Sequence, residues 1–150
     1  MKSMYLRLMV MAVLSFISMY VLMYMMVDGY DDVFPNRNEL YMASLMTAPM
    51  IVIELVLMGP MYKSRITNIV IISISLIVLI LCIFFIRQQT AIYDKEFLRS
   101  MIPHHGGAVL MCGKNNNIQD TEIRELCQGI ISSQQREIDW MKNKLQELEK

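Results

Sequence analysis

Three apolar runs constrain this chain more than any other feature. Leu8 to Val27 holds no charged residue, Ile66 to Ile86 holds none, and Leu40 to Tyr62 holds only Glu54. Each run is near or above the ~20 residues a helix needs to cross a hydrocarbon core. A single crossing has to be helical, because lipid offers no partner to backbone amides and carbonyls. The runs therefore predict transmembrane helices over 8–27, 40–62 and 66–86. Lys2 and Arg7 ahead of the first run resemble the start of a secretory signal. Its apolar part is too long for one, however, and no small-residue cleavage site follows, so the span is read as retained.

The charges divide the chain. From Arg87 to Lys150 there are nine Lys/Arg and nine Asp/Glu, while the first 86 residues hold five of each. This predicts a membrane domain over 1–87 and a water-facing domain over 88–150. A net charge of zero gives no electrostatic footprint for nucleic acid. Lys2 and Arg7 precede the first span, and Lys63 and Arg65 lie between the second and third. The connection from Asp28 to Glu39 carries four acids against Arg37. Positive loops tend to stay cytoplasmic. The N-terminus is therefore expected inside, and the first loop and the C-terminal domain outside, with Arg87 the one basic residue against it.

Of 16 methionines, eleven fall between Met9 and Met61 and none in Ile66 to Ile86. Hydrophobicity alone does not explain that bias, since the third run uses Ile, Leu and Val. Met46, Met50, Glu54 and Met58 recur every four residues, and Met4, Met11, Met19, Met23 and Met26 also share a helical face. Two facing thioether stripes with one carboxylate could hold a soft cation such as Cu(I) or Ag(I). The alternative is that Met is an adaptable packing residue and Glu54 is protonated and hydrogen-bonded between helices. Pro49 is expected to kink the second span.

The water-facing part reads as two helices. Phe97, Leu98, Met101, His105, Ala108, Met111 and Cys112 follow helical spacing. The run from Gly113 to Asn117 marks a stop and turn, and Asp120 is a natural N-cap for a second helix. The second stripe runs through Ile123, Leu126, Ile130, Ile138, Met141, Leu145 and Leu148. The short turn makes the pair antiparallel. Two helices bury little core, so a homodimer completing a four-helix bundle is the expected solution. With three cysteines no disulfide framework can be read. Cys112 and Cys127 are either bridged or small buried hydrophobes, and the latter is the more ordinary behaviour.

The two histidines, His104 and His105, are adjacent and point about 100° apart on a helix. Met101 and Met111 flank them. Imidazole with thioether is copper chemistry, whereas a structural histidine pair is the plain alternative. Pro103, Gly106 and Gly107 predict a locally irregular helix there. No Glu stands three residues before a His, so the di-iron pattern is missing. No Cys-x-x-Cys or nucleophile–base pair suggests an enzyme.

Phe97-Leu98-x-x-Met101-Ile102-Pro103-His104-His105-x-x-Ala108-x-x-Met111, then Ile130-Ile131-x-x-Gln134-Gln135-x-Glu137-Ile138-x-x-Met141, resembles the bacterial domain-of-unknown-function family 305. The three-span start resembles a membrane-bound branch of it. The resemblance implies a ferritin-like, all-α, extracytoplasmic hairpin in a bacterial inner membrane, with copper or silver as the bound metal. His104, His105, Met101, Met111 and Met141 would be ligands, with Asp94, Gln134 and Glu137 orienting them. Expected partners are the bilayer, a second copy, and a metal transporter or metal-donor protein. The competing expectation is an assembly protein with a metal-free helical core.

Overall fold

The computed structural model describes residues 2–150, with side chains from residue 4 onward, so the side chain of Lys2 lies outside it. The described residues form five α-helices and no strand: α1 (Lys2–Met23), α2 (Arg37–Leu57), α3 (Arg65–Gln88), α4 (Asp94–Gly113) and α5 (Thr121–Glu149). Three segments, Met4–Met26, Arg37–Leu57 and Arg65–Gln88, are long and apolar enough to cross a membrane. At 1.5 Å per residue the three helices measure roughly 31–36 Å, against a hydrocarbon core of ~30 Å. Helix α2 starts earlier than its apolar run and stops at Leu57, because Gly59 and Pro60 open a 3-10 turn. It continues through Pro49.

The chain packs as two units. One comprises Met1–Met23 with Asn38–Ala91, the other Tyr24–Arg37 with Ile92–Lys150. A single cut at residue 87 therefore misses one feature: the first interhelical loop belongs with the C-terminal residues.

In the first unit the buried face of α2 is Ala43, Thr47, Ala48 and Leu55, and Ser75 is buried on α3. Small residues let helix backbones approach closely where no hydrophobic effect drives them together. Leu8, Leu55 and Tyr62 form a cluster with Met4 and Met11 packed on it. A polar knot closes one end. Tyr5 donates to Asn68 Oδ1 at 2.8 Å, and Asn68 donates to the Tyr62 carbonyl at 2.9 Å. Ser64 caps α3 through the Thr67 amide. Helix α3 ends at Gln89 in the left-handed region (φ 49°). The outward sides of α1 and α3 expose Leu14, Ile17, Leu22, Ile69, Ile77 and Ile80, an apolar surface suited to lipid.

In the second unit α4 and α5 lie side by side and run in opposite directions, since Arg99 pairs with Glu149 and His105 with Glu137. Asp120 caps α5 by accepting from the amides of Glu122 and Ile123 at 2.9 and 3.1 Å. The core is Leu98, Ile102, Val109, Ile138, Met141 and Leu145, with Phe34 from the loop packed against it.

That loop explains Pro103, Gly106 and Gly107. Helix α4 runs unbroken through all three, against the irregularity that local propensity predicts. Pro103 has no N–H, so the Arg99 carbonyl one turn earlier loses its helical donor. The side-chain amide of the buried Asn36 donates to that carbonyl at 3.5 Å, and to the Phe34 carbonyl at 2.9 Å. The glycines admit the loop. A Cβ on Gly106 would meet Val27 Cγ1 at 3.2 Å, and one on Gly107 the Met26 carbonyl oxygen at 3.3 Å. Asp32 pairs with Lys142 on α5, and the Arg37 amide donates to Glu96.

Glycine costs a helix up to ~1 kcal/mol relative to alanine. Gly129, on α5, has nothing within 4 Å of an added Cβ. Gly129→Ala is therefore expected to stabilise the unit by about 0.5–1 kcal/mol. Gly107→Ala should give none of that gain, because a backbone carbonyl must yield to it. Denaturant unfolding checks the order; equal gains at both positions would remove the packing role assigned to Gly107.

Candidate functional site

Helix periodicity puts one histidine inward and one outward, and the packing decides which. His105 is 8% exposed and turns toward α5, while His104 is exposed. The two rings meet edge to face with centroids 6.2 Å apart. His105 Nδ1 lies 2.9 Å from the Met101 carbonyl, and Nε2 lies 2.7 Å from Glu137 Oε2. A carbonyl only accepts, so Nδ1 carries a hydrogen. Nε2 is then the nitrogen turned toward Glu137 and able to ligate. Ser133 donates to the other Glu137 oxygen at 3.3 Å.

These groups open on a cleft of about 350 Å³ lined by Phe97, Met101, His105, Arg136, Trp140 and Met141, with Ser133 and Glu137. Its walls are largely apolar and aromatic, with one imidazole and one carboxylate facing each other. Both thioethers, Met101 and Met141, belong to it. Helix–helix register produces this set: α4 contributes Phe97, Met101 and His105 at four-residue steps, and α5 contributes Ser133, Glu137 and Met141 likewise.

Of the residues read from sequence, the structure thus brings His105, Met101, Met141 and Glu137 together. It does not bring the rest to this cleft. Met111 is 56% exposed and lies elsewhere on α4. Asp94 sits in the first turn of α4, where its charge favours the helix dipole, and Gln134 is half-buried outside the cleft lining. Glu137 touches Nε2 itself rather than supporting the ring from behind. The Met101 carbonyl has that supporting role. Sequence reasoning missed Arg136, Ser133 and Trp140; Ser133 stands four before Glu137 and Trp140 three after it, a helical spacing that could have found them, whereas Arg136 has no such relation to the motif.

Among the described residues no group of three or more His, Cys, Asp or Glu side chains is assembled that could hold a metal ion. Any metal in this cleft would therefore need sulfur as well as His105 and Glu137. The donor set present, one imidazole nitrogen, one carboxylate and two thioethers, is a soft-ion set. A ring with its far N–H on a carbonyl is the usual arrangement of a ligating histidine.

The intramembrane candidates do not converge in the same way. Glu54 accepts a hydrogen bond from Tyr62 at 3.1 Å. Met46 and Met58 are exposed, and Met58 lies past the end of α2. On α1, Met4, Met11, Met19 and Met23 are half-buried, and Thr47 donates to Met19 Sδ at 3.7 Å. Here the thioethers pack.

Comparison with known proteins meets this geometry at the same residues. The family model described as Domain of unknown function (DUF305) matches residues 86–145, the end of α3, all of α4 and most of α5. The chain is 34% identical over 139 residues to the uncharacterized protein L153 of Acanthamoeba polyphaga mimivirus, covering 91% of this chain and 90% of that one. No solved structure matches. The likeness to the viral protein runs through the apolar spans as well as the matched domain, and the chain belongs to the DUF305 family.

Proposed function

We propose that this is a membrane-anchored protein that binds a soft metal ion, copper or silver, at the α4–α5 cleft. His105 Nε2, Met101, Met141 and Glu137 are the ligand groups. One observation carries the reading: Nδ1 is tied to a backbone carbonyl, so Nε2 faces a carboxylate and two thioethers lining one cleft. Nε2 lies 2.7 Å from Glu137 Oε2, so the imidazole and the carboxylate already converge on one point. An incoming cation would sit between them in place of that direct contact.

Three further features of the reading are proposals with it. The α4–α5 pair is a ferritin-like hairpin that dimerises into a four-helix bundle; the exposed Ile123 and Leu126 supply an unpartnered stripe for a second copy. The N-terminus is cytoplasmic and the second unit lies on the opposite side of the membrane. The packing of the loop Tyr24–Arg37 with Ile92–Lys150 supports one side for both, as three crossings require, and the basic Lys63 and Arg65 loop supports the cytoplasmic side for the N-terminus. The viral relative lends no support to a bacterial membrane in particular. The role is metal tolerance or delivery, with a transporter or metal-donor protein as partner.

A second reading keeps the pair metal-free: both ring nitrogens of His105 already have partners, so it could simply fix the register of α4 on α5 in an assembly protein.

Titrating the full-length protein in detergent with Ag(I) separates the two, in a Cys82→Ser/Cys112→Ser/Cys127→Ser background to remove thiol binding. Trp140, the single tryptophan, lines the cleft and reports occupancy. His105→Ala is expected to weaken binding roughly 100-fold and Met141→Leu roughly 10-fold, by analogy with losses at metal sites. His104→Ala should leave it almost unchanged. Equal affinity in parent and His105→Ala would leave the assembly reading standing.

A further inference from the structure

The cysteines offer a site outside the proposed metal cleft. Cys112 lies near the end of α4 and Cys127 near the start of α5. They line one open cleft of about 320 Å³ with Asn115, Asn116, Arg124 and Gln128. The antiparallel register set by the Arg99–Glu149 and His105–Glu137 pairs brings the two positions opposite each other on this shared cleft. Both are half-buried and both are free. A pair of packing cysteines would be expected inside the core; these sit on a solvent-open cleft beyond it.

We infer that Cys112 and Cys127 form an intrachain disulfide, made by exchange with a disulfide oxidant, that closes the far end of the α4–α5 pair. Residues 113–126 lie between them, so the bond spans the Gly113–Asp120 turn. The order of steps follows from the geometry. The hydrogen bond to Cys127, with burial and the neighbouring charge, pushes the Cys112 thiol up to about 11. Cys112 therefore holds its proton more tightly, and the first attack is assigned to Cys127. Its sulfur displaces one thiolate from the oxidant R–S–S–R and becomes a mixed disulfide, and the leaving thiolate takes up a proton. Cys112 then loses its proton to water and attacks Cys127 Sγ, releasing the second R–S−. Two protein thiols are oxidised and one oxidant disulfide is reduced to two thiols.

The bond removes freedom from the unfolded chain across the turn. It leaves His105, Met101, Met141 and Glu137 untouched, so it stands or falls apart from the metal reading.

The test uses the full-length protein in detergent, reduced and then equilibrated with glutathione disulfide. Free thiols are blocked with a maleimide, and the protein is digested with trypsin without reduction. Trypsin leaves one cysteine in peptide 100–114 and one in 125–136. The expected product is these two peptides linked and lighter by two hydrogens, in chains that run as monomers on a non-reducing gel. Cys112→Ser should stop the sequence at a stable glutathione adduct on Cys127. Oxidised protein should unfold on the order of 10 °C above the reduced form, read at Trp140. Separate glutathione adducts on both peptides of the parent protein, or a link found only in dimer bands, would overturn the inference.

Discussion

Replacing Ile138 with alanine is expected to destabilise the second unit by about 2–5 kcal/mol, the usual cost of emptying an aliphatic core position. Ile138 and Ile102 are both 0% exposed, and they sit in one cluster with Leu98, Val109, Met141 and Leu145. No water reaches the space left by the lost atoms, so their lining loses contacts outright. The unit is small. Tyr24–Arg37 and Ile92–Lys150 together, at roughly 0.1 kcal/mol per residue, hold on the order of 7 kcal/mol of total stability. A loss of this size consumes much of that. Denaturant unfolding followed at Trp140 gives the number, and the midpoint should fall without a change in slope. Because Glu137 precedes Ile138, soft-metal affinity should fall with it. Leu126→Ala is the contrast. Leu126 is 61% exposed, so its loss should cost under about 0.5 kcal/mol in a monomer. A larger, concentration-dependent cost would reveal a second copy covering that stripe.

The sequence made the helices legible because each rests on a local signal. Charge-free length marks α1 to α3, the Asp120 cap marks the start of α5, and the turn from Gly113 to Asn117 separates it from α4. Half of the candidate site was legible for the same reason: Met101, His105, Glu137 and Met141 fall on one face of their own helices. Which of His104 and His105 turns inward was not, since that depends on where α5 lies. The role of Tyr24–Arg37 was not legible either. Its residues carry no periodicity, and the partners of Asp32 and Asn36 are Lys142 and Arg99, far along the chain. Pro103 and the Gly106–Gly107 pair were misread on the same account. Local propensity sees weakened helix there, whereas the packing uses a missing donor and missing side chains to seat a loop.

That account predicts a specific interaction between two substitutions. Asn36→Ala should destabilise the second unit by about 1–3 kcal/mol, because it strips a donor from a carbonyl with no helical partner. Asn36 donates to both the Phe34 and Arg99 carbonyls, so the loss has two parts. Pro103→Ala restores an N–H one turn after Arg99 and so returns the helical bond that proline removes. In a Pro103→Ala background, the Arg99 part of the Asn36→Ala cost should disappear, while the Phe34 part stays. The double variant should therefore be more stable than the sum of the single changes by about 0.5–1.5 kcal/mol, the net worth of one hydrogen bond. Strict additivity would mean that Asn36 does not serve the Arg99 carbonyl. The sign of the coupling matters more than its size. It is positive if the loop residue and the proline act on the same carbonyl, as the Asn36 contact to Arg99 and the missing Pro103 N–H place them.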